Sequence, residues 1–382
     1  MNHRKPPRGD ALPRIIHVTT AHRADDVRIF DRECRSLAAS GLYDVYLAAA
    51  GEIPDGSGVS LIPLTPAPRT RLRRFVAGPL KAGALSRTVA ADVWHFHDPE
   101  LLPVAIRLAR AGKSVIWDSH EDYVGKLTEP GGKAWVPEPA RSLVRSGTRS
   151  MLGLMDKLAA GVVAATPTIA SLYSNQRVVI VGNEARLELF EHCQPYFTSR
   201  QILFTGSPGP GHLFEEVVKA VAELPGTQLA VAGRDPEPAI WAKAKACLGE
   251  RLIHLGWLDR KGIANAIASS AVGLSTYADL PTYNAGNSPN KLFEFGAAGL
   301  PVVATPTMSN KRYVAANGTG VVAEGFSSND LASAISQVLA NPVAWEAASR
   351  AGRAWAAREG SWSVSEARLL DLYAAIVGEK QR

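Results

Sequence analysis

The densest run of chemically capable residues is Gly286-Asn287-Ser288-Pro289-Asn290-Lys291-Leu292-Phe293-Glu294. Ser288 is a good N-cap and Pro289 suits the first helical position, so the spacing predicts a helix that starts here and stops at Gly299, ahead of the apolar run Val302-Val303-Ala304. The first turn of a helix carries unpaired N–H groups and the positive end of the dipole, and can therefore hold a phosphate; Lys291 in that turn adds a full charge. Glu294 follows Lys291 by three residues and Asn290 by four, which places its carboxylate on the same side and about one turn further along, where it suits a ribose diol. Ser288, Asn290, Lys291 and Glu294 together read as a nucleotide diphosphate site. The competing reading is an ordinary βαβ helix with Lys291 and Glu294 as a solvated pair.

In the first half of the chain, Asp92-Val93-Trp94-His95-Phe96-His97-Asp98-Pro99-Glu100 joins an apolar strand to a polar end. His95 and His97 alternate with Phe96 and so share one face, where an imidazole can donate to a sugar or phosphate or move a proton. His97 is the stronger functional candidate, His95 the more structural one, and Asp98 reads as a helix cap. Asp118-Ser119-His120-Glu121-Asp122 ends another strand and offers His120 and Glu121 to an acceptor, with helix capping as the rival role. Ligands at tetrahedral or octahedral spacing are not evident and no Asp-x-Asp pair follows a strand, so no metal site is assigned. Thr19-Thr20-Ala21-His22 precedes Asp26, a cap, and Arg28, a cation in a first turn whose unfavourable dipole an anionic ligand would offset. His22 and Arg28 therefore join the acceptor-side candidates, against a salt bridge from Arg28 to Asp25 or Asp31. In the second half, Gly206-Ser207-Pro208-Gly209-Pro210-Gly211 permits close backbone approach but contains no cation, and Arg234 after Gly233 can reach a diphosphate or be an ordinary surface arginine.

These residues need elements to position them, and short apolar runs alternate with helical spacings. Strands are predicted at 14–19, 45–49, 93–96, 114–117, 161–165 and 178–181, with helices at 27–39, 100–111 and, behind a Thr166 cap, 167–174. The pattern restarts with strands at 201–205, 229–232, 252–255, 272–275, 302–304 and 320–323, and helices at 214–223, 261–269, 289–298 and 329–340, then terminal helices at 344–358 and 363–377. Alternation of this kind makes parallel sheets covered by helices, so the fold class is α/β. Two such domains would face each other across a cleft, with the ligand at the carboxyl ends of the strands.

With 382 residues and 46% hydrophobic content the chain can form two cores. Forty-two basic against thirty-six acidic residues give a net charge of +6, too mild for a nucleic-acid partner but favourable to anionic ligands or membrane surfaces. Cys34, Cys193 and Cys247 lie far apart without CxxC spacing, which suggests neither a disulfide framework nor a zinc site and fits a reducing cytoplasm. Residues 1–13 are basic and contain proline, reading as neither signal peptide nor span. Arg69, Arg71, Arg73 and Arg74, interleaved with Leu72, Phe75, Val76 and Leu80, together with the row Arg141, Arg145 and Arg149, suit an anionic bilayer or simply a solvated face.

Taken together, Asp26-Val27-Arg28-Ile29-Phe30 with Glu33 and Leu37, the segments 92–102 and 118–122, Gly206, Gly233, Ser288 to Ala304, Gly318 to Val322 and Trp362 resemble the family 4 type of GT-B glycosyltransferases over about the whole chain. The resemblance implies two Rossmann-like domains, residues 1–198 on the acceptor side and 199–360 on the nucleotide-sugar side, with a helix over 361–382 crossing back to the first. It implies that Glu294 matches the second glutamate of the family's Glu-x7-Glu motif, while Gly286 stands where the first would be. It also implies that His97 faces the donor sugar and diphosphate. The loop from Gly206 lacks the arginine and lysine the family often places on the diphosphate, which shifts anion binding to Lys291, Arg234 and the amides of residues 290–292. The activity implied is transfer of a sugar from a nucleotide diphosphate to a glycan, lipid-linked or other cell-surface precursor, retaining and metal-independent, with His97 and Lys291 catalytic and no cofactor, by a cytoplasmic or inner-face peripheral enzyme. The alternatives are a sugar-nucleotide epimerase on the same fold and a noncatalytic GT-B-like partner subunit.

Overall fold

The computed structural model describes residues 11–66, 71–128, 138–280 and 289–381. They form two compact units, Met1–Val181 with Glu366–Arg382, and Gly182–Ser365. The second unit begins at Gly182 rather than at residue 199. Segment 182–198 joins it because the Ala185 amide donates to the Gly360 carbonyl (2.9 Å), Arg353 Nη2 donates to the Cys193 carbonyl (2.6 Å), and Phe190 and Cys193 are buried in its core.

The first unit is built on β1 (Arg14–Arg23), β2 (Asp44–Ala50), β3 (Ser60–Pro63), β4 (Val93–Phe96), β5 (Ser114–Ser119), β6 (Gly161–Ala164) and β7 (Val178–Ile180). Their order is β3-β2-β1-β4-β5-β6-β7, and each neighbouring pair is parallel. Helices on both faces require apolar strands, and Ile15, Ile16, Val18, Trp94, Phe96, Val115, Trp117 and Val162 are all buried. The strand order reverses between β1 and β4, the place where open parallel sheets leave a crevice at their carboxyl ends. His17 on β1 is in register with His95 on β4, so two imidazoles flank that reversal.

The second unit repeats the plan with β8 (Gln201–Thr205), β9 (Gln228–Ala232), β10 (Leu252–Gly256), β11 (Val272–Ser275), β12 (Val302–Ala304) and β13 (Gly320–Val322), ordered β10-β9-β8-β11-β12-β13. Its reversal lies between β8 and β11. The helix Asn290–Ala298 links β11 to β12 and is buried from Lys291 to Ala298. Close approach on two sides explains two of its surroundings: a Cβ at Gly273 on β11 would lie 2.7 Å from the Phe295 ring, and one at Gly296 would lie 2.9 Å from the Trp355 ring of the helix Pro342–Arg358.

That helix begins one residue later than its sequence suggests. Pro289 occupies the cap position at ψ 121° without a side-chain cap, and Ser288, the expected cap, lies outside the described residues. Its end is as anticipated, with Gly299 in the left-handed region at φ 70°. In the first unit Asp26 caps the next element through the amides of Arg28 and Ile29, but that element is π-wound over Val27–Cys34 before the α-helical turn Arg35–Ala39. Thr166 caps Pro167–Ala170 as expected. The basic run is a helix, Arg71–Thr88, and β3 is a short edge strand whose half-exposed residues carry no clear alternation. The last helix, Trp362–Gln381, buries Leu369, Leu372 and Tyr373, and from Glu366 onward it belongs to the first unit.

Candidate functional site

In the second unit the carboxyl ends of β8 and β11 converge on Lys291. Its ammonium lies 5.4 Å from the centre of the Phe204 ring on β8 and 5.3 Å from that of Tyr277 just after β11. The residue is only 8% exposed, and among the described residues Nζ has no hydrogen-bond partner. Burial lowers its pKa from 10.5 to about 8, opposed by the charge of Glu294. Aromatic faces partly stabilise such a cation, but they supply no hydrogen-bond acceptor. The site therefore holds a desolvated positive charge beside Gly206, whose backbone at φ 127° leaves a would-be Cβ only 3.7 Å from Nζ. Gly233 packs against Gly206 so closely that a Cβ there would meet the Gly206 carbonyl oxygen at 1.9 Å. Thr205 Oγ1, one residue before Gly206, is buried without a hydrogen-bond partner among the described residues.

The loop after β8 is held over this point by the segment after β11. Thr276 Oγ1 donates to the His212 carbonyl (2.8 Å), the Ala278 amide donates to the Gly211 carbonyl (3.0 Å), and the His212 and Tyr277 rings lie 5.3 Å apart. Burial and the nearby Lys291 push the His212 pKa down to about 4, so this imidazole is neutral at pH 7. One turn on from Lys291, Glu294 is 6% exposed and its Oε1 accepts from Arg260 Nη1, at the start of the helix Arg260–Ala268. Asn290 is exposed, the Leu292 amide donates to the Pro289 carbonyl (3.1 Å), and Arg234 is exposed just beyond β9.

The first unit gathers its polar residues differently. Asp118, at the end of β5, accepts from Arg28 Nε (3.0 Å) and Nη2 (2.8 Å), and its Oδ2 lies 2.9 Å from His97 Nδ1 and 3.6 Å from His120 Nδ1. Arg28 also donates to the Val181 carbonyl (2.8 Å). The salt bridge expected for Arg28 thus exists, but to Asp118 rather than to Asp25 or Asp31, because the π-wound segment aims the guanidinium inward at the sheet. His97 Nε2 lies 2.9 Å from His17 Nδ1, so both nitrogens of His97 are hydrogen-bonded within the unit, and the residue is fully buried. Tyr373 Oη bridges His95 Nδ1 (2.8 Å) and His17 Nε2 (3.1 Å). Burial lowers the pKa of His17 and His95 well below 6.5, and that of His97 as well, despite Asp118. Although burial alone would raise the Asp118 pKa, Arg28 and the histidines hold it well below the usual carboxylate range.

His22, His120 and Glu121 come together at the edge of this network. The His22 and His120 rings meet edge-on at 5.3 Å, and His120 Nδ1 lies 3.3 Å from Tyr123 Oη. His22 Nδ1 pairs with Asp26 (3.1 Å); burial alone would lower its pKa, but Asp26, Asp98 and Glu121 raise it to about 9. Asp98 does not cap the helix after it. Its Oδ2 instead accepts from Thr19 Oγ1 (2.8 Å) and the amides of Thr20 (2.6 Å) and Ala21 (3.0 Å), which draws the end of β1 over β4.

His212, Tyr277, Arg260, His17 and Tyr373 carry no sequence signal of their own, since each is recruited by the adjacency of strand ends or by the last helix. Of the basic run, Arg69 lies outside the described residues, Arg73 is exposed and Arg74 pairs with Glu100 (2.6 Å).

Residues 199–341 match the family model described as Glycosyl transferases group 1. The whole chain is similar in fold to sucrose-phosphate synthase from Thermosynechococcus elongatus, at 18% identity and TM-score 0.77 over 96% of this chain and 100% of that one. It is also similar to Anabaena HepE, solved in complex with UDP-glucose, at 13% identity and TM-score 0.71 over 95% and 99% of the two chains. A third similar structure is WaaG, a glycosyltransferase involved in lipopolysaccharide biosynthesis, at 15% identity and TM-score 0.68 over 93% and 98%. No curated protein sequence matches the chain. The fold is GT-B, with two Rossmann-like domains.

Proposed function

We propose that this chain, GT-B in fold and matching group 1 over residues 199–341, is a glycosyltransferase that moves a sugar from a nucleoside diphosphate to a hydroxyl of a glycan or lipid-linked precursor. The observation that carries this reading is the Lys291 ammonium, buried and without a hydrogen-bond partner among the described residues at the strand-order reversal of the second unit. A buried unpaired charge is costly, and an anionic ligand removes that cost. The diphosphate lies against Lys291 and Gly206, with Ser288, Asn290 and Arg234 as further donor-side groups. Glu294, oriented by Arg260, accepts from the ribose hydroxyls.

On this reading the acceptor hydroxyl attacks the anomeric carbon on the face from which the diphosphate departs, so configuration is retained. The new bond forms from the acceptor oxygen to that carbon, the bond from the carbon to the diphosphate oxygen breaks, and the acceptor proton passes to the departing diphosphate. Lys291 stabilises the charge that develops there, the part a divalent ion takes in other transferases. His22, His120 and Glu121 bind acceptor hydroxyls. His97 and Arg28 act one step back, by holding the Asp118 carboxylate that fixes His120. Exposed Val76, Leu80 and Leu143 beside exposed arginines support association with an anionic membrane surface. Among the described residues no helix is long and apolar enough to cross a membrane.

Calorimetry with UDP tests the donor site. Lys291→Ala should weaken UDP by about tenfold to a hundredfold, the loss expected for one charge-assisted hydrogen bond. Equal affinity in wild type and variant, or no binding of any nucleoside diphosphate by wild type, would overturn the assignment.

A further inference from the structure

The first unit contains a buried cluster of which only His97 enters the proposed sugar transfer, through its other ring nitrogen and Asp118. His17 from β1, Glu33 from the π-wound segment, and His95 and His97 from the end of β4 are each fully buried, and each offers a ligand atom within 4.8 Å of all the others. His17 Nδ1 lies 2.9 Å from His97 Nε2 and 3.9 Å from Glu33 Oε2, and His95 Nδ1 lies 3.9 Å from the same Glu33 oxygen. Ligand atoms around a tetrahedral zinc ion, at bonds of about 2.0–2.1 Å, are separated by roughly 3.3 Å. Shifts of well under an ångström at the closest contact, and of about one at the others, would close these four atoms onto a common centre.

Two further observations point the same way. Among the described residues both Glu33 carboxylate oxygens are buried without a hydrogen-bond partner, although Arg28 Nε lies 3.3 Å from Glu33 Oε1. Native interiors rarely tolerate such orphans unless another ligand satisfies them. The opposite nitrogens are also engaged as ligating histidines require: His97 Nδ1 meets the Asp118 carboxylate, itself held by Arg28, and His17 Nε2 meets Tyr373 Oη. A carboxylate on the far nitrogen fixes the tautomer and ring orientation of a metal-bound imidazole.

We infer that His17, Glu33, His95 and His97 form a structural site for one divalent transition ion of the zinc type. Three imidazoles and one carboxylate suit zinc or cobalt rather than magnesium or calcium, which take oxygen ligands. With all four ligands buried the ion ties β1, β4 and the π-wound segment together rather than meeting substrate. Sequence spacing did not reveal it, since the ligands lie at positions 17, 33, 95 and 97 and only the last two form a short motif. The inference concerns the first unit alone and stands apart from the donor site of the second.

The test is elemental analysis of the full chain, purified without an affinity tag from zinc-supplemented medium and dialysed against metal-free buffer. About one zinc per chain is expected, with a lower melting temperature after chelation and recovery on adding zinc. Cobalt added to the chelated protein should give the intense visible absorption of a four-coordinate site. Glu33→Gln and His17→Gln, each checked for folding by circular dichroism, should both lose the ion. Less than a tenth of an equivalent in wild type with no cobalt spectrum would overturn the inference, and so would full metal content in folded Glu33→Gln and His17→Gln. UDP binding, which depends on Lys291, should persist in the chelated protein.

Discussion

The side chain on which most turns is Lys291, because stability and ligand binding ask opposite things of it. Its folded pKa of about 8 lies below its unfolded value, so between about pH 8 and 10.5 the unfolded chain holds a proton that the folded chain has released. Lysine ionisation therefore makes stability rise with pH across that window. Lys291→Met removes the unpaired charge and should stabilise the ligand-free protein at pH 7 by about 1–3 kcal/mol, while UDP binding falls. Urea denaturation of both proteins, with and without UDP, checks both halves. In wild type the affinity for UDP should decline above about pH 8 as the ammonium is lost, and a flat titration would contradict this. His22 works in the other direction. Its folded pKa, raised to about 9, makes its contribution complete below pH 6.5 and lost as pH rises through 9. The difference in stability between wild type and His22→Ala should shrink over that range when unfolding is followed against pH. Lys291 and Glu294 were legible because the physics of a helix's first turns is local; His212 and Arg260 were not, since only packing brings them near.

At the scale of elements, the helix Asn290–Ala298 depends on absent side chains. Gly296→Ala would place a methyl group 2.9 Å from the Trp355 ring and displace the helix that carries Lys291 and Glu294. A loss of about 1–3 kcal/mol is expected from overpacking, read by chemical denaturation, with weaker UDP binding alongside. Gly233→Ala meets both a φ of 156° and the Gly206 carbonyl, so its damage should centre on the loop beside Lys291 and lower UDP affinity in protein that remains folded. Most strands were readable to within a residue or two, since buried parallel strands are short apolar runs bounded by turns. Several elements escaped, the helices Glu138–Leu158 and Pro238–Leu248 among them, and two of these misses have a plain physical reason. The edge strand Ser60–Pro63 buries too little to show a pattern, and the helix Arg71–Thr88 contains Pro79 in a strongly basic sequence. The π-winding of Val27–Cys34, which brings Arg28 Nε within 3.3 Å of Glu33 Oε1, was also hidden, because no periodicity in the sequence marks it.

Across the whole molecule, the last helix is the element that completes the first unit. Tyr373 Oη joins His17 and His95 from more than 270 residues away in the chain. Tyr373→Phe should cost about 1–3 kcal/mol by leaving buried imidazole nitrogens unpaired, yet leave UDP affinity unchanged because Lys291 and the other groups proposed to hold the donor lie in the second unit. Denaturation and calorimetry on one preparation separate these effects. The sequence by itself determined the α/β class, the repetition of the architecture and the short helix that carries Lys291 and Glu294, all of which rest on periodicity or on chemistry within one helical turn, while the returning helix followed from the family resemblance. Only the tertiary structure decided that His97 faces inward, that Arg28 pairs with Asp118, and that His17 and Glu33 join His95 and His97. Such contacts depend on strand order and on helix winding, which bring distant residues within a few ångströms and leave no periodic trace along the chain.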